Sequence, residues 1–171
     1  MVPGGQEICV TRDTSLVLGL GNPLLGDDAV GLHVAQRVAG LVAGWPGVEV
    51  DTAGLGGLAL MERLAGYHRV VLVDAMTGGR DPPGTVRRFA LTDLPALALG
   101  HVSSVHDMTI QAALALGQRL GMNLPVQVDV VGVEALRVRE FTQELTPSVA
   151  AAIPRAASLV LAILRPGRLG P

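Results

Sequence analysis

The stretch Ser15 to Val38, SLVLGLGNPLLGDDAVGLHVAQRV, decides how the rest of the chain is read. Leu16 to Leu20 is a short apolar run with the character of a buried strand, and Gly19, Gly21, Asn22 and Pro23 stop it. Beyond that turn, Val30, Val34, Val38 and Val42 recur every four residues, so a helix is expected from about Asp28 to Val42, closing near Gly44. Two adjacent carboxylates, Asp27 and Asp28, sit where this helix begins. Strand, glycine-rich turn, acidic pair and helix open an α/β fold, in which ligands sit beyond the carboxyl ends of strands. This turn is the first place to look for chemistry.

The remaining chain keeps the alternation. Val48 to Asp51 is a second strand, and Gly54 to Gly57 opens a helix in which Leu58, Met61, Leu64 and Ala65 share a face before Gly66 stops it. Arg69 to Val73, RVVLV, is a third strand ended by Asp74. Met76 to Gly84 is rich in Gly and Pro, an irregular surface loop and a candidate lid or docking segment. Thr85 to Leu91 alternates like an edge strand, with Val86 and Arg88 on one face and Arg87 and Phe89 on the other. Asp107 is placed to cap a helix reaching about Leu120, with Ile110, Leu114 and Gly117 along one stripe. Val126 to Val133 is β-rich. Thr146 and Pro147 start a last helix, a capping hydroxyl and a proline at the first position, running to Leu164 with a kink at Pro154. The pattern predicts one α/β domain over residues 1–171, a three-layer sandwich with helices on both faces of a mostly parallel twisted sheet, behind a partly ordered lead-in at Met1 to Asp13.

Composition fits that architecture and narrows the function. The chain is 49% hydrophobic but only 2% aromatic, so its core must be Val, Leu, Ile and Ala, the palette of strands covered on both faces. A formal charge of -2, with no basic run longer than Arg87-Arg88, argues against a nucleic-acid partner. The single cysteine, Cys9, excludes an internal disulfide and any CxxC site, and fits a reduced, cytoplasmic setting. Met1 to Asp13 lacks a signal-peptide core. Val149 to Leu164 is interrupted by Pro154 and Arg155 and reads as too short for a membrane span.

Each candidate for chemistry has a plainer alternative. One acid suffices to cap the first helix, and Asp27 is assigned to it, which leaves Asp28 available. Asp74 is a turn residue after a strand on the plain reading and a ligand at a strand end on the functional one. His106 precedes a helix within HVSSVHDMTI, with His101 as the alternative five residues earlier. Together Asp28, Asp74 and His106 would supply two oxygens and a nitrogen with open positions, suited to nickel or zinc. His33 and His68 lie in or beside helices, lack an acidic partner at metal-ligand spacing and read as surface or half-buried residues. Cys9 lies in a poorly patterned segment, and no GxSxG or HExxH motif is present, so serine, cysteine and thermolysin-like peptidases are not supported. Leu24 stands where the dinucleotide fingerprint needs its third glycine, and a Walker loop needs a lysine this chain does not have.

With those residues assembled, the sequence resembles the hydrogenase maturation endopeptidases, which trim a C-terminal extension from the large subunit of nickel-iron hydrogenases. The matching segments are GLGNPLLGDDAVG at Gly19 to Gly31, GLALMERLAGYHRVVLVDA at Gly57 to Ala75, SSVHDM at Ser103 to Met108, VVGVEAL at Val130 to Leu136 and ELTPSVAAAIP at Glu144 to Pro154. The resemblance implies a phosphorylase/hydrolase-like sheet between helices, and metal-sensing roles for Asp28, Asp74 and His106. It departs at Gly54-Leu55, where the family usually has Gly-Thr, and at Ala135, where a proline often follows the retained Glu134.

The resemblance further implies a nickel-loaded large-subunit precursor as partner, with nickel carried by the substrate and zinc or another divalent ion able to substitute. A monomer, free of nucleic acid and membrane, is the expected state. Hydrolysis would use either metal-activated water or the two aspartates as acid and base. Two rivals are a peptidyl-tRNA hydrolase, whose family shares the GLGNP turn, and a non-catalytic module that binds a nickel protein. The first lacks its Thr-Arg-His-Asn stretch here; Asp27-Asp28-Ala29-Val30 stands nearby instead.

Overall fold

The computed structural model describes residues 14–78, 81–93 and 109–165. Strand β1 (Ser15–Leu20) leads through a 3₁₀ turn (Gly26–Ala29) into α1 (Val30–Leu41), followed by β2 (Val48–Ala53), α2 (Gly57–Leu64) and β3 (Arg69–Met76). An edge strand β4 (Val86–Ala90), α3 (Ile110–Arg119), β5 (Gln127–Glu134) and α4 (Pro147–Leu164) complete the order. The sheet runs β2-β1-β3-β5-β4, parallel except for β4, which lies antiparallel to β5. From β1 the chain moves outward to β2 and then crosses to β3 on the other side. The strand order therefore reverses between β1 and β3, which makes their carboxyl ends the switch point where such folds bind ligands.

Strand alternation sorts the core into two layers. Val17, Val71, Val73, Val131 and Val133 face α1 and α4, while Leu16, Leu18, Leu20, Val70, Leu72 and Val130 face α2 and α3. The expected three-layer sandwich is present. α4 is long and apolar enough to cross a membrane by composition alone, but Val149, Ala152, Ala156, Val160 and Ile163 form a buried stripe within the α1-side core. It also continues unbroken past Pro154. The carbonyl that loses its partner there belongs to Ala150, which is exposed and open to water.

Several local expectations are corrected. β3 does not end at Asp74 but continues to Met76, because Asp74 and Met76 pair in register with Gly132 and Glu134 of β5. α2 buries Gly57, Leu60, Met61 and Leu64 and leaves Leu58 46% exposed, so its apolar face is rotated from the expected one. α3 is capped by Thr109, whose hydroxyl accepts the Ala112 amide at 3.2 Å. Asp107 lies outside the described residues.

α1 sits unusually close to the sheet. A Cβ on Gly31 would collide with the carbonyl oxygens of Leu20 and Val73, and one on Gly19 with the carbonyl of Gly31. Both collisions are with backbone, which cannot swing aside. Gly31→Ala is therefore expected to destabilise the fold by roughly 3 kcal/mol or more. Urea unfolding checks this, and a wild-type midpoint would show that α1 can back away freely.

Candidate active site at the β1–β3 switch point

The acidic turn is held by its own short-range bonds. Asn22 accepts the Leu24 amide on Oδ1 at 3.0 Å, and its own amide donates to Asp28 Oδ2 at 2.7 Å. Asp28 is 5% exposed at the head of α1, over the end of β1. Asp74 is fully buried in the adjoining β3, where its Oδ1 accepts the Ala75 amide at 2.8 Å. It lies between Leu72 and Met76, which both belong to the α2–α3 core, so alternation turns its side chain to that face. Asp28 thus lies at the head of α1 beyond β1, and Asp74 near the carboxyl end of the neighbouring β3. His106 and its alternative His101 lie outside the described residues, as does Cys9. His33 and His68 are exposed.

Asp27 does not cap α1. Its Oδ2 accepts the amides of Leu136 and Arg137, each at 3.0 Å, and the Thr146 hydroxyl at 3.0 Å, while its Oδ1 accepts the Thr146 amide at 2.6 Å. The Thr146 hydroxyl donates to Asp27, and its oxygen makes no cap bond to α4. Backbone bonds from Gly26 to Thr142, Asp27 to Arg137 and Thr142 to Leu24 tighten the same seam. The two adjacent acids have divided their work: Asp27 anchors the loop after β5, and Asp28 remains at the switch point.

A further buried acid was not assigned from sequence. Glu134 is 5% exposed, pairs in register with Met76 and lies on the same sheet face as Val130, hence on the side of Asp74. Its main chain ties down the preceding loop, since the Gly84 amide donates to its carbonyl and its own amide to Thr85. The signal was present in VVGVEAL, but an acid at the end of an apolar strand looks the same as a turn residue. The buried Asp129 is different: at the opposite half of the sheet it is neutralised by Arg88 at 2.7 Å and bonded by Gln127 at 2.7 Å. Gly79 and Arg80 of the expected lid segment lie outside the described residues.

Chemically, two carboxylates withdrawn from water at neighbouring strand ends are hard oxygen donors suited to a divalent cation, whose charge offsets their desolvation. Among the described residues no group of three or more His, Cys, Asp and Glu is arranged to hold a metal. An ion at this place needs ligands beyond these two. Beside Asp28 a groove of about 410 Å³ runs between α1 and β2, reaching Pro23 and Ala29 at its upper end. A second cavity, about 370 Å³, is lined by Trp45, His68 and Arg69 at the amino ends of the strands, away from these acids.

The fold is a doubly wound α/β sheet with Asp28 and Asp74 buried near its switch point. A model of the hydrogenase maturation protease family matches residues 33–163. The hydrogenase 2 maturation protease of Escherichia coli is 32% identical over 152 residues, 88% of this chain and 90% of that protein. Protein FrxA of Pyrococcus furiosus is 30% identical over 144 residues, 84% and 99% of the two chains. The solved hydrogenase maturating endopeptidase HybD from E. coli superposes with a TM-score of 0.74 at 29% identity, covering 89% of this chain and 92% of that one. The chain belongs to the hydrogenase maturation protease family, and it is a peptidase. These matches favour that activity over the peptidyl-tRNA hydrolase and the binding module.

Proposed function

We propose that the protein removes the C-terminal extension of a nickel-iron hydrogenase large-subunit precursor, and recognises the precursor by the nickel already installed in it. The observation that carries this reading is the burial of Asp28, at the head of α1 beyond β1, and of Asp74, near the carboxyl end of the adjoining β3. Two carboxylates leave most of a metal's coordination to other ligands, which suits an ion that arrives bound to a substrate. His106 is the third ligand implied by the family resemblance.

In this reading Asp28 and Asp74 take positions on the substrate's nickel and hold the adjoining peptide bond in the crevice. Hydrolysis adds water across the amide: a C–O bond forms at the carbonyl carbon, the C–N bond breaks, and the amine leaves with a proton. Holding the ion needs both aspartates ionised, whereas acid–base hydrolysis needs one ionised as base and the other protonated as acid. The setting is cytoplasmic and the working unit a monomer.

The test is the intact mass of a nickel-loaded precursor and a nickel-free control after incubation with the protein. Loss of a C-terminal peptide from the loaded form alone is expected, and loss from both forms removes the metal from recognition. His106→Ala is expected to stop cleavage; activity kept in it but lost in His101→Ala reassigns the ligand. A loaded precursor that binds and keeps its mass would make the binding module the better reading.

A further inference from the structure

The outer edge of β2 explains how a polypeptide could be led to this site; this inference rests on the peptidase reading above. β2 is the last strand on its side of the sheet among the described residues. The Ser15 amide donates to the Gly47 carbonyl and the Gly21 amide to the Ala53 carbonyl, so the odd-numbered residues of this segment face β1. Main-chain groups alternate along a parallel strand, which turns the amides and carbonyls of Val48 and Val50 outward. The Thr52 carbonyl points the same way, while the Thr52 amide is already taken by Asp51 Oδ1 at 2.8 Å.

The two flanks of this edge differ in chemistry. On the α1 side, Val50 with Leu32, Ala35 and Ala39 makes the apolar part of the groove. On the α2 side stand Glu49 and Asp51, with side chains 53% and 45% exposed, sharing Arg63 at 2.7 and 2.8 Å. The Tyr67 hydroxyl and Arg63 hold Glu49 below the usual carboxylate range, and Arg63 with the Thr52 amide does the same for Asp51. One arginine against two ionised acids leaves this rim negative. Acids on an edge strand discourage pairing with a copy of itself and favour a basic partner.

We infer that the β2 edge receives an extended segment of the substrate beside its scissile bond as an added strand. Its small apolar side chains enter the α1 groove, and its alternate, basic side chains lie over Glu49 and Asp51. Continuity with the site supports this assignment. The groove ends at Pro23 and Ala29, on either side of the Asp28 turn, and the Gly21 amide joins that turn directly to the end of β2. Main-chain bonds would supply affinity independent of sequence, and the two flanks would select alternating small apolar and basic residues.

Hydrogen exchange of the wild-type protein, with and without the nickel-loaded precursor, tests the docking directly: protection of the Val48 and Val50 amides is expected, and its absence overturns the inference. Two surface variants add a kinetic test. Ala39→Arg fills the groove from an exposed helix position and Glu49→Lys reverses the rim, so each is expected to raise KM about tenfold with kcat changed far less. Wild-type KM in both, with folding confirmed by thermal melting, also overturns it. If the wild-type protein does not cleave the precursor, the peptidase reading fails on that substrate, and the exchange measurement alone decides the docking.

Discussion

Asp74→Asn is expected to lower kcat/KM for precursor cleavage by at least about a thousandfold while leaving the protein as stable as wild type or more so. The reasoning separates shape from charge. Asp74 is fully buried within β3, and its Oδ1 accepts the Ala75 amide, a bond that an asparagine carbonyl can keep. The substitution changes almost no volume and lifts the desolvation cost of a buried carboxylate. What it removes is the negative charge, which both metal binding and general-base catalysis need. A thousandfold corresponds to about 4 kcal/mol of lost transition-state stabilisation, the size expected for one electrostatic group at a reacting centre. Cleavage followed by intact mass, beside a thermal melt, gives both halves of the result. Activity within tenfold of wild type would take Asp74 out of the chemistry, and a large fall in melting temperature would make its role structural.

Asp27, one residue before the other proposed ligand, should behave in the opposite way. Asp27→Ala is expected to cost about 3–5 kcal/mol of folding stability, because it strands donors of Leu136, Arg137 and Thr146 beside a site that is 0% exposed. Each is a bond to a charged acceptor, and the Thr146 pair is buried. The isosteric Asp27→Asn does not rescue the site. An amide offers one acceptor oxygen and turns its NH2 toward donors that also need an acceptor. Against a typical total of about 5–15 kcal/mol, the loss would leave a marginal fold. Chemical denaturation of both variants measures it, and a loss below about 1 kcal/mol would mean that the loop after β5 finds other acceptors. The neutral amide thus separates the two acids: tolerated by the fold at Asp74, harmful at Asp27.

The fold was legible where burial left a local mark. VLGL in β1 and RVVLV in β3 are apolar because helices cover both faces, and the doubly wound pattern alone placed Asp28 and Asp74 at one end of the sheet. Legibility failed where the deciding partner was remote. Asp74 resembled a strand terminator, since a carboxylate in a strand interior is costly, yet pairing with β5 carries β3 two residues further. Asp27 looked like a local cap because nothing near it in sequence announces Leu136 or Thr146. The rotated face of α2 is a smaller error of the same kind. Leu58 and Leu60 are equally apolar, and only docking against α3 chooses between them.

The anchorage of Asp27 also sets an order in time. Its most distant donor, Thr146, is made 119 residues later, after all five strands have been synthesised. Until then a nascent chain can pair β1 with β3 but cannot secure the turn that presents Asp28. Here the closing bonds wait for α4 to begin, so the turn that carries Asp28 is secured only once all five strands have been made, and a chain broken upstream of Thr146 never secures it.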